Sequence, residues 1–351
     1  MLKLFGFGDN SENKVDENLS GHIGEIKKEN VKKLLIIDPG NTNWYQIFKD
    51  SKLDDGTSIQ IEQADWSEIS MTCYMPPSSS TCCCTLCPSL KPHPNTSMNR
   101  TRMFQPDFLL IRSEVRGVKP SQDYRNILYG FEYADIPSIN SLTSIYNFCE
   151  RPLIYAQLLK IHKRLGQTQF PLIQQYYYPV HEEMLITPSY PIVVKMGHAH
   201  AGYGKIKLDN HKQFEDFKTC VALTSCYVTA ETFLDGDYDI RIQKLGNNYR
   251  AFKRTAVSGS WKTNTGTSFI ESIEMTKQFK MWADESSKLF GGLDIVTVDA
   301  IHCITDDKLY ILEVNGTSSG FGDYCEEEDN KILKEMVLER MNHLFIDKKQ
   351  K

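Results

Sequence analysis

Apolar residues fall into runs that change period along the chain. Leu34-Leu35-Ile36-Ile37 ends in Asp38-Pro39-Gly40-Asn41, which predicts a buried strand closed by a turn. Residues 59–64 alternate as a second strand, Asp107 to Arg112 reads as a third, and 137–140 as a short one. Around that short strand, Tyr124, Ile127, Leu128 and Phe131, and then Tyr146, Leu153, Ile154, Leu158 and Ile161, recur at helical spacing and predict two helices. Strand patterns return at 191–195, 226–233, 238–243 and 249–254, the last three close enough together for a meander. Met275, Phe279, Trp282, Ser286 and Phe290 mark one face of a further helix. Apolar strands around Val298 and from Leu309 to Val314 follow it, and a helix from Ile332 to Leu344 closes the order.

Elements of this kind predict an α/β fold in which an α/β N-terminal domain, 33–140, precedes a second domain, 141–346. Residues 1–32 carry Gly, Asn, Glu and Lys with little periodicity and read as a disordered tail; 347–351 form a second tail. Near 71–103 the low-complexity run from Pro76 to Pro88 predicts a Cys- and Ser-rich loop insertion on the surface.

With 40% hydrophobic and 24% charged residues in 351, the composition is that of a soluble globular protein. A net charge of −5 and a pI near 6.0 supply no general attraction to nucleic acid. No apolar stretch reaches the ~20 residues that span a bilayer, and the N-terminus is too soon polar for a signal peptide, so a cytoplasmic protein is expected. Half of the ten cysteines, Cys73, Cys82, Cys83, Cys84 and Cys87, crowd into one stretch and the rest are scattered, which favours reduced thiols over a disulfide framework. Cys84 and Cys87 have a spacing that zinc uses, but adjacent cysteines chelate poorly and no second pair follows, so an unstructured loop is expected there.

The chemistry concentrates late in the chain. Asp299 and Glu313 each stand inside an apolar strand, where an uncompensated charge costs several kcal/mol, roughly, and Asn315 adds a carboxamide. These oxygens suit a hard divalent cation such as Mg²⁺ in a nucleotide site. Lys195 ends an apolar strand and leads into a turn with Gly202 and Gly204, closed by Lys205. Such a turn lets backbone N–H groups and ammonium groups approach phosphates, although a glycine hairpin with solvated lysines has the same composition. Glu231 and Phe233 stand at a strand end that suits a purine ring, and Arg254, Lys262 and Asn264 add donors for a polyphosphate; singly, each is equally a solvated or core residue.

In this order the pieces resemble the ATP-grasp fold. More narrowly, residues 33–345 resemble the synapsins, through Ser141-Leu142, Ser144 to Cys149, Val193 to His200, Val257-Ser258-Gly259, Trp261 to Gly266, and Phe290 to Ile295. The resemblance implies an ATP-grasp domain that binds ATP with Mg²⁺ or Ca²⁺, forms homodimers, and sits peripherally on synaptic vesicles, regulating vesicle clustering and neurotransmitter release, with actin as a further partner. By position it assigns Lys195 and Lys262 to phosphates, Glu231 to the adenine end, and Asp299 and Glu313 to the cation. Arg151 stands where the family has lysine, and a planar fork replaces a point charge. Asn315 stands where vertebrate synapsins are apolar and ATP-grasp ligases often have Asn, which supports a rival expectation, an ATP-dependent carboxylate–amine ligase. The first arginine is Arg100, so the synapsin N-terminal phosphorylation segment, which needs arginines before a serine, is not expected in the tail. The long Pro- and Gln-rich C-terminal extension of many synapsins is likewise not expected on this reading. On this reading Lys195→Ala weakens ATP binding with little loss of fold.

Overall fold

The computed structural model describes residues 31–38, 42–74, 81–86, 101–198, 200, 202–256, 268–320 and 325–347, with 81–86 as backbone. Of the expected tails 1–32 and 347–351, residues 1–30 and 348–351 lie outside them, whereas Val31 and Lys32 belong to the first strand, whose pairing extends the apolar run toward the N-terminus. The N-terminal domain contains β1 (Val31–Ile37), α1 (Trp44–Ile47), β2 (Ser58–Ala64), β3 (Ile69–Tyr74), β4 (Thr81–Leu86), β5 (Arg102–Phe104), β6 (Phe108–Ile111), α2 (Arg125–Tyr133) and β7 (Ser138–Ile139). Strands β2, β1, β6 and β7 form a parallel sheet in that order.

Parallel sheets covered on both faces need continuous rather than alternating apolar strands, and this explains the run at the start of β1. Leu35 and Ile37 face a core with Leu109, Ile111, Leu128 and Phe131, while Leu34 and Ile36 face Phe108, Trp44, Leu333 and Val337. The segment expected as a loop insertion is partly a sheet. β4 pairs antiparallel with β3 and β5, because Thr and Cys in this stretch fit a pleated surface that Ser and Pro composition had obscured; Cys87 lies outside the described residues.

Two helices follow, α3 (Leu142–Phe148) and α4 (Arg151–Leu165), where the apolar stripe from Tyr146 to Ile161 predicted one. Glu150 is extended between them at φ −130° and ψ 110°, and Pro152, in the first turn of α4, has no N–H to give to a preceding turn. The chain then builds a small sheet from β8 (Gln175–Tyr178), β9 (Ile192–Met196), β10 (Lys205–Leu208) and β11 (Val228–Thr232), with α5 (His211–Ala222) packed on it through Phe214, Phe217 and Val221. Its order is β10-β9-β11-β8, all antiparallel.

A larger antiparallel sheet has the order β14-β13-β12-β15-β16, from β12 (Gly236–Leu245), β13 (Asn248–Ala256), β14 (Ser268–Ile273), β15 (Ile295–Cys303) and β16 (Lys308–Asn315). Helix α6 (Lys277–Ser286) covers it together with α4, burying Phe279, Trp282, Leu158 and Ile161 against Ile240, Val298 and Ile311. Helix α7 (Glu326–Phe345) packs Leu333, Val337 and Met341 against the N-terminal domain and Leu245. The expected meander is corrected here. β12 and β13 are a hairpin, but β11 belongs to the small sheet, where Val228 and Ala230 find the apolar partners that its period demands.

Asn140 ties the domains together. Its Nδ2 donates to the carbonyl of Ile295 at 2.8 Å, and its Oδ1 accepts from the N–H groups of Asp294 (2.9 Å) and Ile295 (2.8 Å), with the residue 1% exposed. Asn140→Ala leaves buried groups of β15 unpaired and is expected to cost roughly 2–4 kcal/mol. Urea unfolding should show a lower midpoint; an unchanged midpoint would mean that water replaces the amide.

Candidate nucleotide and cation site

Antiparallel pairing of β15 and β16 sets Asp299 directly across from Glu313, and the register then slips so that Ala300 faces Ile311. The extra residue, Leu312, is a bulge, which bends the strand and re-aims side chains; Leu312, Glu313, Val314 and Asn315 all line one cleft. Asp299 is held by Arg241, its partner across β12, whose Nε and Nη2 donate to the two carboxylate oxygens at 2.8 Å each. Asn315 donates through Nδ2 to Asp299 Oδ2 at 3.0 Å, and Arg254 Nη2 lies 3.6 Å from Oδ1. The carboxylate of Asp299 raises the pKa of Arg241 above its ordinary value.

Glu313 faces a second set of cations. Arg151 Nη1 donates to its Oε2 at 3.2 Å and Lys205 Nζ lies at 3.7 Å. Lys205, then Arg151 and Lys195, hold the Glu313 carboxyl well below its ordinary value, against the opposing effect of burial.

The small sheet supplies the other wall. Lys195 sits two positions from Glu231 on the neighbouring strand, a diagonal that long side chains span. Its Nζ is 2.6 Å from Glu231 Oε1, with the side chains 6% and 5% exposed, and Gln175 Nε2 donates to the other oxygen at 3.4 Å. Burial pulls the Lys195 pKa down, and Glu231 opposes it. The turn between β9 and β10 requires left-handed backbone at Gly202 (φ 81°) and Gly204 (φ 63°), which L side chains resist.

Two connected hollows result. The larger, about 740 Å³, runs along Arg151, Lys195, Arg241, Arg254, Glu313 and Asn315 and continues to Arg116, His198 and His200. The smaller, about 90 Å³, lies between the two sheets and is lined by Val193, Glu231, Phe233 and Leu234 beside Lys195, Gly202, Lys205, Asp299 and Glu313. Basic groups thus occupy the junction, and an apolar slot with a carboxylate occupies one end. Arg254 Nε is buried there without a hydrogen-bond partner among the described residues. Chemically, the junction can accept a polyphosphate and the slot a flat heterocycle.

The residues singled out by sequence mostly converge. Lys195, Gly202, Lys205, Glu231, Phe233, Arg254, Asp299 and Glu313 line the smaller hollow, and Arg151 and Asn315 line the larger. Gly204 shapes the turn, its carbonyl accepting from Met196 N–H at 3.0 Å. Lys262 and Asn264 lie outside the described residues. Sequence reasoning missed Arg241, whose pairing with Asp299 depends on strand register. It also missed Gln175 and Lys207, the latter with its Nζ 4.1 Å from the Phe233 ring centroid; a charge on an alternating strand carries no local mark that separates it from a solvated one. No group of three or more His, Cys, Asp or Glu side chains able to hold a metal occurs among the described residues. The oxygens that the junction itself offers are those of the two carboxylates and of the Asn315 amide. These are the hard oxygens that a cation arriving with phosphates takes.

Residues 27–138 match the family model of the synapsin pre-ATP-grasp domain, and residues 140–343 match that of the synapsin ATP binding domain. A synapsin of Drosophila melanogaster is 34% identical over 331 residues, 91% of this chain and 30% of that protein, so the chain spans about a third of that relative's length. Among solved structures, the ATP-grasp ligase PsnB complexed with a phosphomimetic variant of its minimal precursor, Mg and ADP is similar at a TM-score of 0.57 and 14% identity, over 89% of this chain and 99% of that one. The D-Ala:D-Ser ligase VanG of Enterococcus faecalis is similar at 0.56 and 13%, over 87% and 98%. The D-alanyl-alanine synthetase A of Vibrio cholerae gives 0.54 and 13%, over 88% and 98%. The fold is thus an ATP-grasp domain preceded by a pre-ATP-grasp domain.

Proposed function

This chain belongs to the synapsin family, and from that premise we propose that it is a cytoplasmic protein, peripheral on synaptic vesicles, whose binding of ATP with a divalent cation regulates vesicle clustering and neurotransmitter release. The observation that carries the nucleotide part is the convergence of Lys195, Lys205, Arg151 and Arg254 on the junction where Asp299 and Glu313 meet. Phe233, Leu234 and Val193 form a slot for the adenine ring beside Glu231, whose carboxylate suits the exocyclic amine as acceptor. Lys195, Lys205, Arg151 and Arg254 receive the phosphates, with Lys262 as a further contact. Asp299, Glu313 and the Asn315 oxygen would hold Mg²⁺ or Ca²⁺, which supplies neutralisation of the phosphate charge.

Arg241 pairs with Asp299, and Arg151 and Lys205 pair with Glu313. These same basic groups would meet the phosphates and these same carboxylates would hold the cation, which would make cation and nucleotide binding interdependent. Vesicle, actin and homodimer contacts follow from the family premise. No described helix is long and apolar enough to cross a membrane, which accords with peripheral attachment.

A second reading, an ATP-dependent carboxylate–amine ligase, has one feature in its favour. The larger hollow extends past the basic junction to Arg116, His198 and His200, giving room for an acceptor beside the phosphates. Calorimetric titration of ATP in Mg²⁺, Ca²⁺ or EDTA, followed by an ADP-release assay, separates the two. Cation-dependent binding without sustained release is expected; release stimulated by an added small acid or amine would favour the ligase, and no binding would remove both.

A further inference from the structure

The segment from Cys73 to Cys84 carries four cysteines, and the sheet of the N-terminal domain sorts them. β3 and β4 pair with Cys73 opposite Cys82, Thr72 opposite Cys83 and Met71 opposite Cys84. Directly opposed residues of an antiparallel ladder share a face, with Cα atoms ~4.5 or ~5.5 Å apart according to the hydrogen-bonding pattern. Either spacing lies within the ~4.4–6.8 Å that a disulfide bridges. Cys83 belongs to the opposite face by the period of a strand, and Cys84 has a thioether, not a thiol, across from it. Cys73 and Cys82 are therefore the pair that has the spacing of a disulfide across the hairpin.

The Cys73 thiol is half-buried and donates to the carbonyl of Gly130, inside α2, at 3.2 Å. Met71 packs against the same glycine, where an added Cβ would meet its sulfur at 2.6 Å. The face of the hairpin that bears Cys73 thus bears on α2, and Cys73 does not line the nucleotide cleft.

We propose that Cys73 and Cys82 are a redox-modifiable pair that closes to an intrachain disulfide when oxidised by a hydroperoxide. Two S–H bonds and the O–O bond break, one S–S bond forms, and the two electrons and two protons pass to hydrogen peroxide, which leaves as two waters. A low-molecular-weight thiol reverses it by exchange, taking the oxidation onto itself as its own disulfide. Closure joins β3 to β4 covalently and withdraws the Cys73 donor from Gly130, so oxidation is read out at α2.

The reduced, purified chain of 351 residues would be treated with hydrogen peroxide, its remaining thiols alkylated, and the linked peptides identified by mass. The expected product is a cross-link between the peptides containing Cys73 and Cys82, lost in Cys73→Ser and in Cys82→Ser and retained in Cys84→Ser. Slower amide exchange in β3 and β4 and faster exchange around Gly130 should accompany it. A cross-link that survives Cys82→Ser, one that joins two chains on a non-reducing gel, or a sulfinate at Cys73 without any cross-link would each overturn the proposal. If Cys73→Ser fails to fold, Cys82→Ser and Cys84→Ser give the same decision.

Discussion

Lys195→Ala is expected to destabilise the protein by about 3–5 kcal/mol, because it leaves one partner of a buried ion pair behind. The Glu231 carboxylate, 5% exposed beside Lys195, would be left with the neutral Gln175 amide at 3.4 Å as a weak donor in place of an ammonium at 2.6 Å. The local sequence, a lysine after an apolar strand, had implied a phosphate contact that could be removed with little loss of fold. The buried pair with Glu231 adds a structural role to the proposed phosphate contact, and the structural role has the larger cost. Replacing both partners, Lys195→Met with Glu231→Leu, is expected to recover most of the stability, since well-packed apolar groups replace buried pairs at little or no cost. ATP binding should stay impaired in the double variant. Urea unfolding with and without ATP separates the roles: the ligand-free curve reads the ion pair, and the stabilisation by ATP, RT ln(1 + [ATP]/Kd), reads the phosphate contact. A Lys195→Ala protein as stable as the parent would show that Glu231 has another source of compensation.

Glu313→Gln should separate cation binding from nucleotide binding. The substitution removes the charge that Arg151, Lys205 and Lys195 surround and keeps the shape. Metal affinity falls ~10–100-fold when even an indirect partner of a metal ligand is lost, so ATP binding in Mg²⁺ or Ca²⁺ is expected to weaken at least about tenfold. In EDTA the same variant should bind ATP as well as the parent or better, because three cations then face the phosphates without a carboxylate among them. Equal affinity in Mg²⁺, Ca²⁺ and EDTA would defeat the assignment. The substitution also has a pH signature. The carboxyl is held below its ordinary 4.5, so its stabilisation is fully present above that value and is lost as pH falls through the lower, folded-state value. Acid unfolding of Glu313→Gln should accordingly be shallower than that of the parent.

Most elements were legible because burial leaves a period. The run at Leu34 to Ile37 marked a strand covered on both faces, the spacing of Phe279, Trp282 and Ser286 marked a helix face, and the isolated charges Asp299 and Glu313 in apolar strands marked a site needing compensation. The misreadings have the opposite cause. Whether β11 joins β12 or β9 depends on which sheet edge offers Val228 and Ala230 a core, and no local pattern records that choice. A stripe of apolar residues continues through Glu150 although the backbone does not, since side-chain period says nothing of a break imposed by Pro152. β4 was hidden by low-complexity composition, and its pairing became visible through its neighbours.

Residue type and spacing along the chain were enough to establish the two-domain α/β order, the strand that carries each candidate carboxylate, and the lysine and glycine turn that faces them, because hydrophobic period and turn chemistry act over a few residues. Register and distance between remote segments belonged to the folded chain. Arg241 meets Asp299 across β12 and β15, Lys195 meets Glu231 across a diagonal of β9 and β11, and Asn140 reaches the start of β15 from the other domain. Electrostatic and hydrogen-bond energies depend on separations of a few ångströms between groups far apart in sequence, and such separations exist once the sheets have packed.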